Sequence, residues 1–283
     1  MSASTHSQQI TENLRQWLRS QLAAGCRAED MLESMRSSGW SEAAALQALQ
    51  EVQADSGSSP LLPASIRVPE PALGDGVSVI DVEGHPVRVL LTMQLPRVVL
   101  FGGLLTAAEC DALVEEARPR LARSETVVNS TGGSEVNVAR TSDGMFFTRG
   151  ESPLIQRIER RIAALLRWPA PWGEGLQVLH YRPGAEYRPH HDYFDPKHGG
   201  TEAVLRRGGQ RVGTLVIYLN TPARGGATTF PDVALEVAAI KGNAVFFSYD
   251  RQHPTTRTLH GGAPVVEGEK WVATKWLRER EFD

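Results

Sequence analysis

The stretch Tyr187-Arg188-Pro189-His190-His191-Asp192-Tyr193-Phe194 decides how the rest of the chain is read. Side chains of an extended segment alternate between two faces. His190 and Asp192 then share one face, and His191 points to the other. An imidazole beside a carboxylate offers two ligands to a divalent metal. A third ligand from elsewhere would complete a two-histidine, one-carboxylate facial triad, which leaves positions open on one side of an iron ion, as oxygenase chemistry requires. Taken alone, these residues also fit a polar turn before Asp195-Pro196.

A second signal lies further along, in Leu259-His260-Gly261-Gly262-Ala263-Pro264 and the following Glu269-Lys270-Trp271-Val272-Ala273-Thr274-Lys275-Trp276. On a strand, Lys270, Val272, Thr274 and Trp276 share a face. If Val272 points into a core, so does Lys270, and a buried ammonium requires an anionic partner. A dicarboxylate co-substrate would supply one. The plainer alternatives are a hydrogen-bonded loop histidine at His260 and a lysine reaching solvent at the strand's start.

Around these signals the chain reads as strands and turns. Candidate strands are Leu176–Tyr181, Arg211–Leu219, Ala234–Val237, Ala244–Ser248 and Trp271–Leu277. Upstream, Val77 to Val82 and Val87 to Leu91 flank the turn Glu83-Gly84-His85-Pro86, a hairpin pattern, and Val98 to Phe101 is another apolar run. Thr106-Ala107-Ala108-Glu109 is a capping box for a helix through Ala117. A second helix is expected from about Pro153 to Leu166, with Ile155, Ile158, Ile162 and Leu165 on one face. Two helices followed by many short strands predict an α+β arrangement, with helices backing a double-sheet barrel or jelly roll.

The N-terminal region differs. Ile10, Leu14, Trp17, Leu18 and Leu22 fall on one helical face, and Gly25 can end that helix. Met31, Leu32 and Met35 indicate a second helix stopped near Gly39. Ser41 is an N-cap for a third, carrying Ala45, Leu46, Leu49 and Val52. This small bundle, residues 1–53, resembles a ubiquitin-associated-type bundle, and nothing in it names a partner. Residues 54–76, rich in Ser, Pro and Gly, read as a linker, which leaves 77–283 as the second domain.

The chain has 283 residues and is 41% hydrophobic, so a core of normal density needs no metal or disulfide to staple it. A formal net charge of -3 gives no general affinity for nucleic acid. With only two cysteines, Cys26 and Cys110, thiols in a reducing compartment are the simpler expectation. No basic, then apolar, leader and no membrane-length apolar run is evident, so a cytoplasmic location without a membrane partner is expected.

Taken together, the motifs resemble a known family. They are Arg140-Thr141-Ser142-Asp143-Gly144-Met145-Phe146, Gly175-Leu176-Gln177-Val178-Leu179-His180-Tyr181 and the 187–192 segment, followed by Gly209-Gln210-Arg211-Val212, Tyr218-Leu219-Asn220, Gly225-Gly226-Ala227-Thr228-Thr229-Phe230-Pro231, Lys241-Gly242-Asn243-Ala244-Val245-Phe246-Phe247 and the His260–Trp276 stretch. In this order, from about Pro96 to Arg280, they look like the catalytic domain of the prolyl 4-hydroxylase family of Fe(II)/2-oxoglutarate dioxygenases.

The resemblance implies a double-stranded β-helix core and a site made from specific residues. His190, Asp192 and His260 would hold Fe(II). Lys270 would pair with the distal carboxylate of 2-oxoglutarate, with Tyr181 and Thr228 supplying nearby hydroxyls and Trp276 an aromatic wall. Dioxygen would be the other co-substrate, with ascorbate a further candidate cofactor. Arg140, Ser142, Glu174, Tyr187 and Arg211 match positions that contact peptide in relatives, although Arg140 or Arg211 fits a structural ion pair equally well. The Gly/Ser/Asn-rich segment Ser124 to Gly144 is expected to be a flap over a substrate groove. Two departures stand out: a long loop between Asp192 and Arg211, where His198 is expected to face solvent, and Gly-Gly-Ala-Thr in place of the commoner Gly-Gly-Glu-Thr.

The implied substrate is a prolyl residue of a peptide or protein. A free amino acid or other small molecule would use the same iron site, and a non-catalytic docking platform is a reading of a different class. A zinc hydrolase fits poorly, because no general base is recognisable beside the metal ligands.

Overall fold

The structure, a computed structural model, describes residues 10–55, 66–123, 125–127, 134–136, 141–194 and 201–283. The chain divides into two compact units, Met1–Ile66 and Arg67–Asp283. The first contains α1 (Glu12–Ala23), α2 (Ala28–Ser37) and α3 (Glu42–Asp55). The Thr11 hydroxyl accepts from the Leu14 N–H and starts α1, and the Ser41 hydroxyl accepts from the Ala44 N–H and starts α3. Leu18, Met31, Met35, Ala45, Ala48, Leu49 and Val52 form the core, with Ile10, Leu14, Trp17 and Leu22 packed against it. That is the face expected from the helical spacing. Residues 56–65, within the expected linker, lie outside the described residues.

In the second unit the elements, in chain order, begin with β1 (Val79–Val82), β2 (His85–Met93), β3 (Arg97–Gly102), α4 (Ala107–Ala117), β4 (Ala122–Arg123), β5 (Glu125–Val127), β6 (Ser134–Val136), β7 (Asp143–Phe147) and α5 (Pro153–Leu166). They continue with β8 (Leu176–Tyr181), β9 (Tyr187–His190), α6 (Thr201–Arg206), β10 (Arg211–Tyr218), β11 (Arg224–Gly225), β12 (Thr228–Phe230) and β13 (Leu235–Val237). The last are β14 (Ala244–Ser248), β15 (His260–Gly262), β16 (Val265–Glu267) and β17 (Lys270–Arg278).

Among the described residues, a large sheet runs in the order β1-β2-β3-β14-β10-β17-β8-β7-β4, and a smaller one runs β13-β12-β15-β9. Leu179, Tyr218, Phe247 and Val272 of the large sheet and Phe230 and Val237 of the small one belong to one buried cluster. The two sheets therefore enclose a common core, as in a double-stranded β-helix. Several local expectations are met. Thr106 and Glu109 form the reciprocal capping box of α4, and α5 spans Pro153–Leu166 behind its Ser152 cap.

Other elements differ from the expectation for physical reasons. The first hairpin turns on two residues rather than four, because Glu83 and Gly84 both adopt positive φ (53° and 83°). A two-residue turn of that kind matches the twist of the flanking strands. The short helix α6 was not anticipated, since six residues show no resolvable period. β7 falls at the end of the expected flap, and most of that segment lies outside the described residues.

β17 organises the domain. It sits between β10 and β8, and every one of its residues is buried. Lys270, Val272, Thr274 and Trp276 face the other sheet, and Trp271 and Lys275 face the helices. A strand covered on both faces must neutralise each charge it carries. On the helix side, the Lys275 ammonium meets Glu159 of α5 at 2.6 Å, and Glu159 also accepts from the Gly150 N–H. Replacing Glu159 with Ala strands a buried cation and is expected to destabilise the protein by roughly 3–5 kcal/mol in chemical denaturation. The double change Glu159→Leu with Lys275→Met is expected to recover most of that loss; failure to recover would show that the pair stabilises on its own account.

Candidate active site

The site begins with strand pairing. β15 runs antiparallel to β9 with His260 opposite His190, so two distant parts of the sequence bring their imidazoles together. The ring centroids are 4.4 Å apart. β9 ends at His190, and Asp192 lies in the bend that follows. Its carboxylate nevertheless turns to the same side. Ligand atoms of His190, Asp192 and His260 all lie within 4.8 Å of one another, with Nε2 of each histidine 3.4 Å from an oxygen of Asp192.

Backbone carbonyls orient both rings. His190 Nδ1 is 3.0 Å from the Arg188 carbonyl, and His260 Nδ1 is 3.0 Å from the Thr258 carbonyl. These contacts hold a proton on Nδ1 and turn Nε2 toward Asp192. Burial, reinforced by the facing His260, pulls His190 below its ordinary value and favours the neutral ring. Burial alone would raise Asp192, but the facing histidines outweigh it and hold the carboxyl well below the usual range. A lone pair facing a carboxylate at this distance calls for a cation between them. The donor set, one carboxylate and two imidazoles, suits Fe(II).

Behind the carboxylate stands a hydroxyl chain. Thr214 of β10 donates to Asp192 Oδ2 at 2.8 Å, and its oxygen lies 3.0 Å from the Tyr249 hydroxyl. Thr214 and Tyr249 are both fully buried or nearly so. Neither was singled out from sequence. The signal for Thr214 was strand alternation, because Thr214, Val216 and Tyr218 share a face of β10.

Lys270 opens β17 opposite Tyr181 and is only 4% exposed. Lys275 and Arg278 on the same strand have carboxylate partners. Lys270 has none among the described residues. Its ammonium lies 5.5 Å and 5.9 Å from the ring centroids of Tyr181 and Tyr218. Desolvation alone lowers it to about 8. Gly226, at φ +71°, lies against the stem; a Cβ there would meet Lys270 Cδ at 3.2 Å. A Cβ on Gly262 would stand 3.7 Å from the ammonium, which puts Lys270 beside the strand that begins with His260. The Tyr218 hydroxyl donates to Thr228 Oγ1 at 2.8 Å. Tyr218, within the Tyr218-Leu219-Asn220 motif, carries no sequence signal for this contact. A buried ammonium with no anion among the described residues, flanked by two tyrosine rings, is a fitting receptor for the carboxylate of 2-oxoglutarate.

The remaining expected residues form a different group. Trp276 lies on the Lys270 face of β17 but roughly 20 Å along the strand, opposite Thr214. The Arg211 guanidinium stacks 4.0 Å from its ring centroid, and Phe146 lies 6.4 Å away. Arg211 makes a bidentate pair with Glu174 at 2.7 and 2.8 Å, and Arg278 reaches the same carboxylate at 2.8 Å. Burial would raise Glu174, but the two guanidiniums outweigh it and keep the carboxyl low. Arg278, missed from sequence, also donates to the carbonyls of Val204 and Gly209 after β9. Tyr187 stacks on His190 at 3.7 Å between centroids, and Ser142 is fully buried just before β7. Arg140 and His198 lie outside the described residues.

The comparisons with known proteins agree with this chemistry. Residues 176–278 match the family model described as the 2OG-Fe(II) oxygenase superfamily. Prolyl 4-hydroxylase 2 of Arabidopsis thaliana is 36% identical over 222 residues, covering 70% of this chain and 73% of the relative. Prolyl 4-hydroxylase 1 of the same plant is 41% identical over 203 residues, covering 65% and 70%. Among solved structures, the viral collagen prolyl hydroxylase from Paramecium Bursaria Chlorella virus-1, in complex with 2OG, matches with a TM-score of 0.50 and 27% identity, covering 64% of this chain and 95% of that one. On this similarity the chain is an Fe(II)- and 2-oxoglutarate-dependent dioxygenase and belongs to the prolyl 4-hydroxylase family.

Proposed function

We propose that the chain hydroxylates a prolyl residue within a peptide or protein, with His190, Asp192 and His260 holding the iron and Lys270 anchoring the co-substrate. The observation that carries the site assignment is the Lys270 ammonium, without a carboxylate partner among the described residues, beside the strand of His260. The prolyl substrate is carried by the relatives, which are named as prolyl hydroxylases.

Bound between these groups, Fe(II) with 2-oxoglutarate and dioxygen supplies the oxidising power to hydroxylate an unactivated carbon. The chain's own contribution is orientation. The two Nδ1–H groups, tied to carbonyls, aim both Nε2 lone pairs at the metal position. Thr214 holds one oxygen of Asp192, which fixes that carboxylate's rotation. Tyr218 donates to Thr228, so the Thr228 hydrogen is left for the incoming carboxylate, next to Lys270. The Thr214–Asp192 contact and the Lys270–carboxylate pair are charge-assisted and buried, where such contacts position the co-substrate strongly. Around the substrate, Arg211 braced by Glu174 supports the Trp276 ring, whose indole N–H has no partner among the described residues.

Purified protein with Fe(II), 2-oxoglutarate and proline-containing peptides is expected to release succinate in step with a mass gain of one oxygen on a peptide. Succinate release stimulated by free amino acids instead would move the substrate to small molecules.

Changing Lys270 to Ala is expected to raise the KM for 2-oxoglutarate far more than it weakens iron binding; equal losses would remove the anchoring role. The pH dependence has a definite sign. With the free ammonium near 8, 2-oxoglutarate affinity is expected to be flat below pH 8. Above it, binding must take up a proton, and affinity should fall by about tenfold per pH unit. In Lys270→Ala that slope should vanish. For the metal, Thr214→Val is expected to lower Co(II) or Fe(II) affinity by roughly 10–100-fold, read by equilibrium titration of the apoprotein. Unchanged affinity would leave Thr214 a packing residue.

A further inference from the structure

The point at which Lys270 enters the core is held in an unusual way. β10 and β17 pair through Tyr218 opposite Val272, and the Leu219 N–H still donates to the Trp271 carbonyl at 2.9 Å. One residue further, Asn220 stands in register with Lys270. There the backbone of β10 has left the ladder, and β17 would lose its partner on that side. The Asn220 side chain takes over: Nδ2 donates to the Glu269 carbonyl at 2.7 Å, and Oδ1 accepts from the Trp271 N–H at 2.7 Å. The carboxamide thus makes the two bonds that a continuing strand would have made. Its orientation is unambiguous, because one backbone partner is a donor and the other an acceptor.

Both peptide groups flanking Lys270 are therefore clamped on the β10 side, while β8 holds the strand on the other through Tyr181. The helix-facing neighbours are fixed as well. Glu269 is 2.7 Å from His180 Nε2, and Trp271 stacks between His180 at 4.2 Å and the Arg118 guanidinium at 4.8 Å. Two residues before Lys270 lies Gly268, at φ +82°, where the chain turns. A lysine at the first residue of a strand, beside a glycine turn, would ordinarily fray and let its ammonium escape to solvent. Asn220 removes that freedom without touching the ammonium.

We propose that Asn220 is a positioning residue for 2-oxoglutarate: its carboxamide locks the backbone of Lys270 so that the ammonium stays buried and aimed at the distal carboxylate. This rests on the anchoring role of Lys270. The resulting selectivity is specific. Loss of the clamp weakens co-substrate binding and leaves the three metal ligands, carried by β9, β15 and the bend after β9, in place.

The test is an anaerobic titration of 2-oxoglutarate into the Fe(II)-loaded full chain, followed by the charge-transfer absorbance of the complex, for wild type, Asn220→Ala, Lys270→Ala and the double variant. Asn220→Ala is expected to weaken 2-oxoglutarate by roughly 10–100-fold, with iron affinity near wild type and with KM raised more than kcat is lowered. Asn220→Asp keeps the acceptor for Trp271 but loses the donor to Glu269, so it should fall between wild type and Ala; it also gives a readable variant should Ala fail to fold. In the Lys270→Ala background the Asn220 change should add little, because both act through one ammonium. Full additivity in the double variant, or parallel loss of iron and 2-oxoglutarate affinity in both Asn220 variants, would overturn the proposal. Wild-type 2-oxoglutarate affinity in Lys270→Ala would instead sink the anchoring role on which it stands.

Discussion

A strand buried on both faces cannot carry an unpartnered charge cheaply, and β17 carries three. Lys275 finds Glu159 on the helix side, and Arg278 finds Glu174 near the strand's end. Lys270 finds the aromatic rings of Tyr181 and Tyr218 but no anion among the described residues. The low dielectric that makes the first two pairs necessary suits the third cation to the receptor role proposed for it. Neighbouring elements answer to this strand. α5 supplies the acid for one lysine, the chain before β8 supplies the acid for the arginine, and Asn220 replaces a missing strand beside the other lysine.

The proposed metal ligands depend on a second constraint, the pairing of β15 with β9. Opposition of His260 and His190 in that pair fixes the distance between the imidazoles, and the carbonyls of Arg188 and Thr258 fix their rotation. Asp192 is outside the strand and needs its own support, which comes from Thr214 on the opposing sheet. The site is thus built across the two sheets. Loosening either sheet would disperse the ligands, which ties the stability of the jelly roll to the geometry of its chemistry.

The ion network at the far end of β17 changes how the expected peptide-contact residues are understood. Glu174 and Arg211 are each other's partners, with Arg278 as a third member. Arg211 meets the structural expectation, since its guanidinium is paired with Glu174 on one side and stacked on Trp276 on the other. Arg278 extends the same network to the carbonyls around α6. The long loop after Asp192 is therefore tied to the strand that carries Lys270, at least through its described residues.

Much was legible in the chain because local rules carried it. The Thr106–Glu109 box, the apolar face of α5, the alternation of β17 and the spacing of His190 and Asp192 each depend on neighbours within a few residues. The same reasoning identified Lys270 as a cation in need of an anion. What stayed hidden depends on contacts between distant segments. Thr214 looked like an ordinary strand residue until Asp192 was seen folded against it, and Tyr218 gains its role only beside Thr228 and Lys270. Asn220 stands in the sequence only as the end of the Tyr218-Leu219-Asn220 motif, because a side chain completing a sheet leaves no periodic mark. Sequence by itself therefore determined the candidate ligands and the candidate anchoring lysine, and on which faces they lie. Tertiary structure alone decided which of them meet, because register, burial and the pairing of charges are set by segments far apart in the chain.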